Sequence, residues 1–114
     1  MTQLPRAAVI GAGSSGIAAI KALHQRGFDV TGFEKSDRVG GNWVYQNING
    51  MSSAYRSLHI NTSRKRMEYS DFPMPVDYPD FPHHSQIAAY FDTVVCNRFS
   101  SSVEAANATS ERTR

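Results

Sequence analysis

The stretch VIGAGSSG, from Val9 to Gly16, constrains this chain more than any other. Ala7 to Ile10 is a short apolar run without alternation, as expected of a parallel strand. Gly11 and Gly13 interrupt it. Ile17, Ile20 and Leu23, with alanines between them, then follow helical spacing. Gly27 comes just past Arg26 and reads as a helix stop, with Lys21, His24 and Arg26 suiting the negative end of the helix dipole. Phe28 to Glu34 reads as a second strand. Strand, helix and strand in so short a span make a βαβ unit, with the two strands expected as parallel neighbours.

The glycines between strand and helix have separate tasks. Gly11 permits the tight turn, Gly13 lets backbone approach a pyrophosphate, and Gly16 lets the helix pack closely. The helix start offers unpaired N–H groups and about half a positive charge. Ser14 and Ser15 add donors. Glu34 ends the second strand at the spacing expected for an acid that accepts from ribose hydroxyls. A carboxylate there would repel a 2′-phosphate by roughly 4 kcal/mol at about 4 Å and an effective dielectric near 20. FAD or NAD therefore suits this site and NADP does not. Arg38, Gly40 and Gly41 decide between the two: a paired glycine brings a second stretch of backbone to the phosphates and an arginine balances their charge. RVGG can also be simply a loop. Taken with the fingerprint and the acid, it favours FAD.

The rest of the chain is quieter. With 114 residues, 40% of them apolar and 19% charged, it has the composition of one small globular domain. A net charge of +2 argues for neither nucleic acid nor a membrane surface. Arg64-Lys65-Arg66, the only basic run, reads as a solvated loop, with a phosphate contact as the other reading. Cys96 is the only cysteine, which excludes an intramolecular disulfide and a thiolate cluster. No apolar run approaches membrane length and no signal-peptide pattern opens the chain, so the cytoplasm is the expected compartment. Asn107-Ala-Thr is a sequon by chance. Residues 36–82 read as turns and loops, with an Asn49-Gly50 turn, a short extended segment at Leu58 to Asn61, and prolines that forbid a helix through DFPMPVDYPDFP. A helix capped by Ser85 is expected to run to about Asn97, with Ile87, Tyr90, Phe91, Val94 and Val95 on its apolar face. His83 and His84 are adjacent and so do not converge on one metal. The Ser-, Ala- and Thr-rich end, residues 97–114, reads as a disordered tail after a domain of residues 1–96.

Three strings carry a family resemblance: EKSDRVGGNW, YRSLHINTSRKRMEYSDFPMP and YPDFPHHSQIAAYF. The sequence resembles the N-terminal third of a flavin-containing monooxygenase from residue 5 to about 95. Ser57-Leu58 before Asn61-Thr62, then Ser70-Asp71-Phe72-Pro73, match that family's S-L-x-x-N-T and S-D-F-P arrangement. The fold this implies is an incomplete Rossmann-like FAD-binding domain of the α/β class: the βαβ unit, a loop-rich extension and one further helix. Its members use FAD, NADPH and O2. The reduced flavin takes up O2 at C4a as a hydroperoxide and passes one oxygen to a soft nitrogen or sulfur, as in the dimethylaniline monooxygenase type. By resemblance, Gly11, Ala12, Gly13, Ser14 and Ser15 hold the pyrophosphate, and Glu34 binds the adenosine ribose. Asn42 and Trp43 lie along the cofactor. Asn61 and Thr62 approach the flavin, and Ile60 and Asn61 touch the nicotinamide half of NADP. Gly16, Lys35, Arg38 and Gly41 complete the cofactor-binding set. Asn61 is the implied catalytic residue, because its amide both donates and accepts; without the resemblance it is equally an Asn closing a turn.

The family's chains are longer and carry a second glycine fingerprint for NADPH, whereas this sequence has one. It therefore reads as an N-terminal portion, marginally stable and weak in binding FAD, because two parallel strands and one helix cannot cover both faces of a sheet. A non-catalytic nucleotide-binding remnant and the N-terminal part of a Baeyer–Villiger monooxygenase are the competing readings. A disulfide reductase is disfavoured by the solitary Cys96.

Overall fold

The computed structural model describes residues 3–99 and 102–105. The chain runs β1 (Arg6–Ile10), α1 (Ser14–Gln25), β2 (Asp29–Glu34), a 3-10 turn (Gly41–Trp43), α2 (Arg64–Met67), α3 (His84–Arg98) and β3 (Val103–Ala105). The βαβ unit forms as the glycine and apolar pattern predicts. β1 and β2 pair in parallel with Ala7 opposite Val30 and Ile10 opposite Phe33. α1 stops at Gly27, whose φ of 86° only glycine adopts freely. Gly27 N–H donates to His24 O and Phe28 N–H to Leu23 O, the two bonds of a Schellman cap.

α1 covers one face of the sheet with Ile17 and Ile20, both fully buried, and α3 adds Ile87, Tyr90, Phe91 and Val94 to the same core. Among the described residues no helix covers the other face. Ile10 is 83% exposed and its cross-strand neighbour Phe33 is 43% exposed. This is half of the two-sided cover that a parallel sheet requires.

Three elements differ from expectation. β3 lies in the stretch expected to be a mobile tail and pairs in parallel with β2, Gly32 opposite Val103. Its Val-Glu-Ala alternation has the period of a strand, with Val103 and Ala105 buried and Glu104 exposed, and the free edge of β2 supplies the partner groups. Asn97 and Arg98 belong to α3 and Phe99 is buried, so order passes residue 96. Residues 106–114, with Asn107, lie outside the described residues.

The second difference is the cap of α3. His83, rather than Ser85, is the N-cap: its Nδ1 accepts from Ser85 N–H at 3.2 Å, while Gln86 Oε1 accepts from His83 N–H at 2.9 Å. An imidazole nitrogen and a glutamine thus reproduce the reciprocal capping box.

The third is the basic run. Arg64 opens α2, and its Nη1 lies 2.9–3.0 Å from the carbonyl oxygens of Pro75, Val76 and Tyr78. Prolines cannot donate and turn carbonyls lack sheet partners, so one guanidinium gathers the oxygens that the Pro-rich loop leaves over. Arg64, half-buried, is therefore engaged by the loop rather than free, whereas Lys65 and Arg66 are exposed. Among the described residues no helix is long and apolar enough to cross a membrane, and no group of His, Cys, Asp or Glu could hold a metal ion.

Candidate functional site

The glycine loop joins β1 to α1 and its geometry follows from missing side chains. Gly11 has φ of 97° and its N–H donates to Phe33 O at 2.7 Å, extending the β1–β2 ladder by one rung before the chain turns. A Cβ on Gly16 would run into the Gly11 carbonyl oxygen, so only glycine lets α1 begin this close to β1. Gly13 is the N-cap of α1 and offers no side-chain acceptor; the first turn holds no acidic residue. Among the described residues no side chain caps the first-turn amides, and the positive end of the helix dipole lies behind them.

The paired glycines close the other side. Gly41, with φ of 57°, brings its backbone against Gly13: a Cβ on Gly41 would stand 3.1 Å from Gly13 Cα. A cavity of about 400 Å³ lies between the two loops. Gly11, Gly13, Ser14, Ser15 and Gly16 line one wall, and Gly41, Asn42 and Trp43 the other. A Cβ on Gly13 would meet only Gly41 Cα, at 3.7 Å. It would otherwise occupy open groove. Packing alone thus leaves room for a side chain at Gly13, and a cradle of bare backbone beside a helix start fits the diphosphate of a dinucleotide.

The remaining expected residues lie elsewhere. Ala12 is fully buried beneath the groove. Glu34 is 8% exposed, with Oε1 accepting from Ala12 N–H and Oε2 from Ser36 N–H, each at 2.8 Å. Lys35 is exposed. Arg38 pairs weakly with Asp37 at 3.6 Å and lines a second cavity, of about 590 Å³, that shares only Trp43 with the groove. Ile60 is buried with its N–H donating to Pro82 O at 3.1 Å, whereas Asn61 and Thr62 are exposed and outside the groove lining.

Asn49, Met51 and Ser52 line the groove and were not anticipated. Ser52 Oγ donates to Asn42 O at 2.8 Å, and buried Asn47 Oδ1 accepts from Asn49 N–H at 3.2 Å. The signal was present in Asn47-Ile48-Asn49-Gly50, a sequence suited to side-chain-capped turns, but a turn signature does not say which surface the loop folds onto.

The S-D-F-P segment anchors α1 against α3. Tyr69 Oη donates to Ser14 O at 2.7 Å, and Tyr69 N–H donates to Tyr90 Oη at 2.8 Å. Burial, helped by the neighbouring Tyr90, pushes the Tyr69 phenol up to about 12. Asp71 forms an ion pair with Lys21 of α1, and the hydrogen bond from Lys21 holds its carboxyl below the usual range. A motif distant in sequence thus fixes the end of the helix that lines the groove.

The family model described as "FMO-like: Flavin-binding monooxygenase-like" matches residues 5–100. Flavin-containing monooxygenase 5 of Rattus norvegicus is 47% identical over 88 residues, which are 75% of this chain and 16% of that protein. The chain thus spans about a sixth of the length of such curated relatives. The solved structure of S-allyl-L-cysteine S-oxygenase from Allium sativum superposes with a TM-score of 0.78 at 26% identity, over 90% of this chain and 28% of that one. A crystal structure of cyclohexanone monooxygenase bound to epsilon-caprolactone gives 0.70 at 26% identity, over 90% and 20%. The glycine loop, the paired-glycine turn and the S-D-F-P anchor all fall within the matched span, and this chain belongs to the flavin-binding monooxygenase-like family.

Proposed function

We propose that this chain forms the diphosphate- and adenosine-binding part of an FAD site in a monooxygenase that uses NADPH and O2 to oxygenate soft nitrogen or sulfur nucleophiles. The observation that carries the reading is the groove: the start of α1, without a side-chain cap, faces the Gly41–Trp43 turn across a cavity of about 400 Å³ into which Gly13 projects no side chain. FAD bound there would supply the hydride acceptor and the oxygen chemistry. The chain's own residues bind and orient. Gly13, Ser14 and Ser15 donate to the diphosphate, and Trp43 and Asn42 hold the opposite side. Glu34 keeps unused lone pairs for ribose hydroxyls, since each carboxylate oxygen accepts more than one bond. Asn61 is the proposed catalytic residue, its exposed amide donating to and accepting from the nicotinamide end of the reaction. The S-oxygenase likeness supports a sulfur nucleophile; the cyclohexanone monooxygenase likeness supports a ketone as the alternative substrate.

The position of Asn61 outside the groove favours a second reading for the chain acting alone: nucleotide binding without turnover. Two measurements separate the readings. Trp43, the only tryptophan, lines the groove, so FAD titration should quench its fluorescence. NADPH oxidation is then followed with FAD and a tertiary amine or thioether present. Quenching without oxidation is the expected result for the isolated chain. Absence of quenching at any FAD concentration, in a chain shown to be folded, would remove the assignment of the groove.

A further inference from the structure

Glu34 does more in this structure than its expected contact with ribose requires. Both of its oxygens are engaged by backbone amides, and one of these belongs to Ala12, the residue between the first two fingerprint glycines. Ala12 is held from the other side as well: its carbonyl oxygen accepts from Gly40 N–H at 2.9 Å. The middle of the glycine loop is thus clamped between the end of β2 and the paired-glycine turn by bonds internal to the chain. Ala12 has no accessible surface. Its N–H could not turn to water if the carboxylate were lost, and a buried donor without an acceptor is disfavoured.

We propose that Glu34 is a positioning residue for the phosphate-binding amides, setting the loop in its binding conformation before any ligand arrives. The inference rests on the reading of the groove as a dinucleotide site, and it predicts a sign that a ribose contact alone does not. Removing a negative charge beside an anion site should strengthen binding of a bare phosphate anion by Coulomb's law. If the carboxylate instead holds the amides in place, its removal should weaken that binding. Preorganised donors lose their advantage once the loop must be ordered on binding.

The test uses inorganic pyrophosphate, which has no ribose, against the full chain and Glu34→Gln, with Trp43 fluorescence or calorimetry as the readout. Gln keeps the size and places an NH2 group where one backbone N–H needs an acceptor. A dissociation constant for pyrophosphate raised roughly tenfold or more supports the proposal. An unchanged or lowered constant, with FAD binding lost, would leave Glu34 as a ribose ligand only and overturn it. Amide exchange provides the second measurement. In the nucleotide-free wild-type chain, the Ala12 amide should exchange as slowly as the Val9 and Thr31 amides of the β1–β2 ladder. Exchange as fast as at exposed loop amides such as Met51 overturns the proposal, even if the variant does not fold. If neither pyrophosphate nor FAD binds the wild-type chain, the groove assignment fails, and Ala12 exchange still decides whether Glu34 holds the loop.

Discussion

Gly13→Ala should separate folding from binding. Gly13 has φ −79° and ψ −168°, a conformation open to alanine, and its added Cβ meets only Gly41 Cα at 3.7 Å. The unfolded chain loses entropy on Gly→Ala, a gain of about 0.4–1 kcal/mol. Alanine is a poorer N-cap than glycine, a loss of about 0.5–1 kcal/mol. The two terms nearly cancel, so stability should change by less than about 0.5 kcal/mol, or roughly 4 °C in Tm for a domain of this size. Binding should behave differently. The Cβ stands where a diphosphate must approach the amides, and loss of one charge-assisted hydrogen bond removes about 1.5–3 kcal/mol, roughly 10- to 150-fold in Kd. The assay is a pair of measurements on the same samples: a melting curve without nucleotide and a Trp43 fluorescence titration with FAD or ADP. A variant that melts normally and still binds like wild type would refute the claim that close backbone approach at Gly13 serves the ligand.

Other substitutions should act on the scaffold. Gly16→Ala forces α1 away from the Gly11 carbonyl and should cost about 1–3 kcal/mol of stability, read as a lowered Tm without nucleotide. His83→Ala should cost about 0.5–2 kcal/mol through loss of the α3 cap, whereas Ser85→Ala should be near neutral; equal effects in denaturant titrations would contradict the cap assignment. The raised Tyr69 phenol contributes stability that is full below the unfolded tyrosine range near 10 and lost as pH rises through about 12. Melts across that window should therefore fall more steeply in wild type than in Tyr69→Phe. Asp71 has the opposite sense: its contribution is present above the unfolded carboxylate range and lost as pH falls through its lowered folded value, and Asp71→Asn should flatten the acid limb of the same melts.

The βαβ unit was legible because its determinants are local. Gly11, Gly13 and Gly16 set the turn and the packing distance, and Gly27 sets the end of α1 within a few residues of itself. The apolar face of α3 was legible for the same reason, since a periodicity of 3.6 belongs to one segment alone. What sequence could not supply were partners distant along the chain. β3 is three residues whose strand character depends on the free edge of β2, and its serine-rich surroundings read as tail. Arg64 became a clamp only because the Pro-rich loop folds back over it. Glu34 carries the spacing of a ribose acid in sequence, yet only the folded chain shows its carboxylate bonded to Ala12 across the loop. Local sterics and helix periodicity are written residue by residue; the satisfaction of buried polar groups is a property of the assembled chain, because donor and acceptor meet only after it closes.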